Sequence, residues 1–207
     1  RRHEKARKHE LSEDIDPGAG SSRDRVVHGG VQPTGKGDEG GCGVSCVLAF
    51  DPGNEESAYC LIDTETRKPI EFGKVPNKDA LAYLYNHAGD TGLEAVVIEM
   101  VASYGMAVGK SVFDTCVMIG RLTEAAEASY FPVDYIYRIE EKTTICHDSK
   151  AKDANIRQAL IDRFAQHDLK NGKGTKKDPD WFYGFAADTW AAYAVGTTWL
   201  DKKEASK

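Results

Sequence analysis

No apolar run in the 207 residues approaches the roughly 20 that a membrane-spanning helix needs, so no membrane partner is expected. The first residues are polar and hold no apolar core of the secretory kind, which points to the cytoplasm. The chain begins Arg1-Arg2 without Met, consistent with a start that is missing or processed. Cysteine is sparse and odd in number, at Cys42, Cys46, Cys60, Cys116 and Cys146. That excludes a disulfide scaffold and suits free thiols in a reducing compartment. Cys42 and Cys46 have no second cysteine pair to complete a zinc site, and Cys46 and Cys60 lie in apolar runs where small core residues are expected. Positive charge is also short, with 27 Lys and Arg against 33 Asp and Glu and a net charge of −6. A uniformly basic nucleic-acid binder is thereby excluded, but the distribution matters more than the sum. Residues 138–177 hold ten Lys and Arg against six Asp and Glu, so this stretch carries +4 and the rest −10.

What is present is one globular domain with a tail. Hydrophobic residues make up 41% and charged residues 29%, enough for a core. Residues 1–43 hold nine of the 20 glycines and balance eight basic against eight acidic residues. They read as a disordered leader. An Ile15-Asp16-Pro17-Gly18 turn within it lacks a preceding apolar strand and is set aside. The domain over 44–207 opens with Val44 to Phe50, a short β-prone run of the kind buried in a sheet centre. It ends in the turn Asp51-Pro52-Gly53-Asn54. Ala58–Ile62 reads as its hairpin partner and Pro69–Val75 as a third strand. Asn77 then caps a helix with Leu81, Leu84 and Tyr85 as apolar positions. Ala95–Ile98 is a second buried strand running into Glu99, residues near 109–128 are helical, and Val133–Tyr137 is a fifth strand. A helix over about 152–164 places Ile156, Leu160 and Phe164 on one side; 168–182 reads as a mobile polar loop, and a last helix covers about 186–200. A meander followed by helix-crossover strands gives an α/β fold, a five-stranded mixed sheet flanked by helices.

Three acids stand where chemistry would need them. Asp51 ends the first strand, Glu99 ends the fourth, and Asp188 lies one turn into the last helix. If the first and fourth strands are parallel neighbours, about 4.8 Å apart, the first two carboxylates emerge at one sheet edge. A helix packed across that edge would bring Asp188 to them. Clustered carboxylates raise one another's pKa, and a divalent cation with a preference for oxygen relieves the repulsion. Two such ions about 4 Å apart suit phosphodiester hydrolysis. Taken singly, each acid is more readily read as a turn residue, and only the joint pattern is specific.

The motifs around these acids resemble a known family. Ala49-Phe50-Asp51-Pro52-Gly53 resembles the first motif of RuvC-like Holliday-junction resolvases, Val97-Ile98-Glu99 the second, and Ala186-Ala187-Asp188-Thr189-Trp190-Ala191-Ala192-Tyr193-Ala194-Val195 the last. The text after Glu99, Ala102–Gly109, then Ile119-Gly120-Arg121 and Ala151–Leu160, is similar to phage-encoded members. The resemblance covers about residues 46–201. It implies an RNase H-like fold, a homodimer, dependence on Mg²⁺ or Mn²⁺ with two ions, and cleavage of branched DNA such as four-way junctions and forks. Asp51, Glu99 and Asp188 would be the catalytic metal ligands. A fourth ligand is usual one turn before the last acid; that position is Phe185 here, leaving Asp153, Asp180 or water to fill the place. The resemblance sets Lys142, Lys150, Lys152 and Arg157 against DNA phosphates, with a solvated helix face as the alternative. Tyr104 and Met106 would meet the junction or pack at the start of a helix, and Lys170, Lys173, Lys176 and Lys177 form either a phosphate clamp or a soluble loop. His147 reads as a surface histidine.

Other readings are weaker. An actin-like phosphotransferase needs a second phosphate loop and a second domain. A proofreading-type exonuclease needs two acids close together on the first strand, where this chain has Pro52, Gly53 and Asn54 after Asp51. A catalytically inactive junction-binding protein of the same fold is supported by Phe185.

Overall fold

A computed structural model describes residues 44–103, 105 and 107–207. The leader read over 1–43, with Asp16 and Cys42, lies outside the described residues, as do Tyr104 and Met106. The elements are β1 (Cys46–Asp51), β2 (Glu56–Asp63), β3 (Pro69–Pro76), α1 (Asn77–Asn86), β4 (Leu93–Met100), α2 (Lys110–Ala128), β5 (Val133–Tyr137), α3 (Arg138–Cys146), α4 (Asp153–Phe164) and α5 (Ala187–Ala205). The five strands form one sheet in the order β3-β2-β1-β4-β5. The β1–β2 and β2–β3 pairs are antiparallel, whereas β1–β4 and β4–β5 are parallel. The mixed sheet and its flanking helices match the expected architecture. Among the described residues, no helix is long and apolar enough to cross a membrane.

Strand periodicity sorts the core into two layers. Val47 and Ala49, Cys60 and Ile62, Ala95 and Val97, and Ile136 face α4 and α5. Leu48 and Phe50, Tyr59 and Leu61, Val96 and Ile98 face α1 and α2. Because β1 and β4 are covered on both faces, their central residues 47–50 and 95–98 are all apolar rather than alternating.

Helix α5 lies close on β1 and β2 because Gly196 carries no side chain. A Cβ there would stand 3.0 Å from that of Ala49 and 2.5 Å from Ile62 Cδ1. Its buried Tyr193 hydroxyl donates to the Arg67 carbonyl at 2.9 Å, and the Arg67 guanidinium pairs with Asp201 at 3.1 Å and Glu204 at 2.6 Å. Arg163 reaches Asp201 at 2.6 Å.

Several elements depart from the sequence reading. Asn77 does not cap α1. Its side chain donates to the Gly53 carbonyl at 3.0 Å and accepts from Ser57 Oγ at 2.7 Å, pinning the turn after β1. Tyr85 is exposed while Leu81 and Leu84 are buried. Residues 138–146 form α3, a helix that the two consecutive threonines Thr143 and Thr144 obscure, since β-branched residues are poor helix formers. The segment read as a mobile loop is organised around two aspartates. Asp180 accepts from the amides of Gln166, His167, Asp168 and Trp181, and Asp168 from those of Asn171, Lys173 and Gly174.

The approach of α5 is testable. Gly196→Val should cost about 1–3 kcal/mol through overpacking, read as a lower urea midpoint with unchanged slope; an unchanged midpoint would mean that α5 has room to move off the sheet.

Candidate active site

Phe50 pairs with Ile98 in the parallel β1–β4 register, so Asp51 and Glu99 follow as neighbours at the carboxyl-terminal edge of the sheet. Both share the parity of Val47, Ala49 and Val97, which places them on the α5 side. Their carboxyls stand within hydrogen-bonding range of each other. Burial, then the charge of Glu99, pushes Asp51 up to about 8 from an ordinary 3.8. Burial also raises Glu99, against the opposing effect of Arg138. Ionising both carboxyls together is therefore disfavoured.

The turn beyond β1 is tight. A Cβ on Gly53 would come within 2.4 Å of the Glu56 carbonyl oxygen, so glycine is required there. Asp51, this turn, Glu56, Lys74 and Asp188 line a depression of about 270 Å³. Asp188 sits in the first turn of α5, slightly earlier than the sequence suggests, where the helix amides favour an anion. Its carboxylate is half-exposed and pairs with Lys74 at 2.8 Å, while Lys74 also reaches Glu56 at 3.2 Å. Asp188 thus shares the depression with Asp51 but is turned to a lysine. Among the described residues, no three His, Cys, Asp or Glu side chains stand close enough to hold an ion as they lie. The donor set nevertheless fits a hard divalent cation: Asp51, Glu99 and Asp188 offer only carboxylate oxygens, and burial resists ionisation of the inner pair unless a positive charge is supplied.

The candidates for a fourth ligand fare differently. Phe185 is buried in an aromatic cluster, with ring centroids 4.5 Å from Phe72, 5.1 Å from Phe182 and 5.2 Å from Trp190. Asp180 is consumed by four backbone amides, which hold it well below the usual carboxylate range despite burial; it has no capacity left for a metal. Asp153 is exposed at the start of α4 and pairs with Arg138 at 2.6 Å.

Two neighbours of the site escaped the sequence reading. Arg138, at the start of α3, pairs with Glu141 at 2.5 Å, and its charge acts on both Asp51 and Glu99. Glu141 is fully buried, and burial together with the charge of Glu99 raises it to about 9. The acidic pair Glu140-Glu141 just past a strand was the available signal, since acids favour a helix first turn. The Glu140 carboxylate indeed accepts from the Tyr137 amide at 2.8 Å and starts the helix.

The basic residues lie on α3, α4 and the segment joining them. Lys142 is half-buried, and Lys150 and Lys152 are exposed. None of the three has an ion-pair partner among the described residues. Arg157 lies over the Trp190 ring, 4.9 Å from its centroid. His147 is exposed and closes α3 in the left-handed region at φ 54°. A larger depression of about 620 Å³ opens beside the amino-terminal end of β4, lined by Tyr85, Asp90 and Tyr130, and has no part in the carboxylate edge.

The Asp51 proton has a measurable consequence. The folded chain keeps it to about pH 8 whereas the unfolded chain releases it near pH 4, so its stabilising contribution is full at low pH and lost as pH rises through that window. Metal-free Asp51→Asn, which cannot ionise, should gain on the parent by roughly 1–3 kcal/mol between pH 5 and pH 8. Thermal melts in EDTA would show the two stability curves diverging with pH, and parallel curves would refute the buried-proton assignment.

No protein-family model matches the chain, and no curated protein matches it. Solved structures do. The chain is similar to Thermus thermophilus RuvC in complex with a Holliday junction substrate, with 12% identity, a TM-score of 0.60, and coverage of 78% of this chain and 96% of that one. A second Thermus thermophilus RuvC structure aligns at 15% identity and a TM-score of 0.56 over the same shares. The yeast mitochondrial Holliday junction resolvase Ydc2 aligns at 16% identity, with a TM-score of 0.45, over 78% of this chain and 80% of that one. The five-stranded mixed sheet with flanking helices has the RuvC-like form of the RNase H-like fold.

Proposed function

We propose that this chain is a metal-dependent endodeoxyribonuclease that cleaves Holliday junctions and other branched DNA, acting as a homodimer. The observation that carries the reading is the Asp51–Glu99 pair, brought together on adjacent parallel strands at one sheet edge of a RuvC-like fold. Asp51, Glu99 and Asp188 would hold the divalent cations, Mg²⁺ or Mn²⁺, with Asp51 central because it reaches both the Glu99 carboxyl and the depression shared with Asp188. When bound, such ions neutralise the charge that develops on a phosphodiester and make water a stronger nucleophile. Lys74 pairs with Asp188, and a divalent cation at the site would compete with it for that carboxylate. Lys142, Lys150, Lys152 and Arg157 would bind phosphates and position the duplex arms without reading sequence, with Trp190 fixing the Arg157 guanidinium. Tyr104 is assigned a junction contact on the family resemblance. The text around Glu99 favours a phage-encoded enzyme working in the host cytoplasm.

A second reading is an inactive branched-DNA-binding protein of the same fold. The buried Phe185 and the Lys74–Asp188 pair favour it.

Nicking of a labelled four-way junction beside matched linear duplex separates these readings. Junction-selective cutting that needs Mg²⁺ or Mn²⁺ and falls by about 100-fold or more in Asp51→Asn is expected. Cutting of both DNAs alike would keep the nuclease and remove the selectivity, and tight junction binding without cutting in either metal would establish the inactive form. The basic face has its own test. Replacing Lys142, Lys150 and Lys152 together by Ala should reduce the slope of log K against log salt by about 0.9 per lost phosphate contact; an unchanged slope would return these lysines to the solvated surface.

A further inference from the structure

The site has Phe185 where the resemblance expects an acid, and a buried carboxylate from a different element lies within electrostatic range of the Asp51–Glu99 pair, although among the described residues no three acids stand close enough to hold an ion as they lie. Glu141 lies in the first turn of α3, which begins where β5 ends. In the β4–β5 register Glu99 pairs with Ile136 and Met100 with Tyr137, so α3 starts immediately past the Glu99 position. Ile136 faces the same core layer as Val97, and that layer carries Asp51 and Glu99 at its edge. The Glu141 side chain is fully buried. One of its oxygens, Oε2, accepts from Arg138 at 2.5 Å. The other, Oε1, has no hydrogen-bond partner and is the one carboxyl atom so orphaned among the described residues. The charges of Glu99 and Asp51 both act on it.

A buried carboxylate oxygen without a donor is costly unless something satisfies it. Arg138 supplies only part, because it is shared with Asp153. Packing gives no reason for the acid, since an aliphatic side chain of similar volume would fill the position without the penalty. A cation held against Asp51 and Glu99 would satisfy the free oxygen and remove the repulsion among the three acids.

We propose that Glu141 is a metal ligand of this site, supplying from α3 the carboxylate that Phe185 does not supply from the approach to α5. The proposal rests on the nuclease reading and deepens it. Of the other acids considered for the place, Asp180 is committed to four amides and Asp153 is exposed. Phe185, one turn before Asp188, closes the aromatic cluster of Phe72, Phe182 and Trp190 and offers no donor there.

Mn²⁺ binding to the full chain without DNA tests this, by calorimetry and by the paramagnetic signal of free Mn²⁺. The parent, Asp51→Asn, Glu141→Gln and Glu141→Leu are compared, the leucine variant filling the buried volume if the amide does not fold. Glu141 variants should bind Mn²⁺ on the order of 10- to 100-fold more weakly and lose most of the Mn²⁺-induced rise in melting temperature. Their melting temperature in EDTA should equal or exceed that of the parent, which a mere anchor for Arg138 would not allow. If Asp51→Asn weakens binding but both Glu141 variants bind like the parent, Glu141 is no ligand and the three-acid site stands. If the parent binds no Mn²⁺, or Asp51→Asn leaves binding unchanged, the carboxylate site itself fails and this proposal fails with it.

Discussion

Carboxyl groups under low-dielectric cover resist ionisation, and at the carboxyl-terminal edge of the sheet Asp51, Glu99 and Glu141 all feel one guanidinium, that of Arg138. Asp51, Glu99 and Glu141 are all raised, by burial first, while Arg138 opposes the shift in each. Arg138 serves as resident counter-charge, shared with Asp153 outside. Such an edge is at ease only when it keeps protons or receives a cation. Protonation relieves the edge, and a bound cation would relieve it in the same way, so the stability of the fold would depend on what the site carries.

The scaffold holds that edge by packing rather than by polar contacts. Strands β1 and β4 are covered on both faces, so their register is set by burial and a one-residue slip would turn every apolar side chain around. That register makes Asp51 and Glu99 neighbours. Helix α5 must then lie close enough to set Asp188 over the same edge, which Gly196 permits and the Tyr193–Arg67 bond secures from the far end of β2. The Asn77 side chain fixes the Gly53 turn from the other face. Each device lies away from the chemistry, but each positions a carboxylate.

The two buried strands, the hairpin, the long helices and the three acids were legible because they obey short periodicities and end in turn signals. The parallel β1–β4 pairing followed from the strand order once a crossover was assumed. Three things were not legible. Helix α3 was hidden by Thr143 and Thr144, whose local preference is overridden by the Glu140 cap and by packing against α5. The 168–182 segment looks like a mobile polar loop because its ordering groups are aspartates, whose role as amide acceptors leaves no periodic trace. Asn77 looked like a helix cap, although its partners lie 20 and 24 residues upstream.

The sequence by itself determined the sheet, the order of its elements and the placing of Asp51 and Glu99 at strand ends, because these depend on local pattern and on a small set of allowed connections. Only the tertiary structure decided which acids are available. Asp180 is spent on amides, Asp188 rests on Lys74, Phe185 is sealed among rings, and Glu141 is buried beside the pair with one oxygen unpartnered. A carboxylate reads the same in sequence whether it accepts four hydrogen bonds or one, and the difference lies wholly in which distant backbone and side-chain groups the fold brings against it.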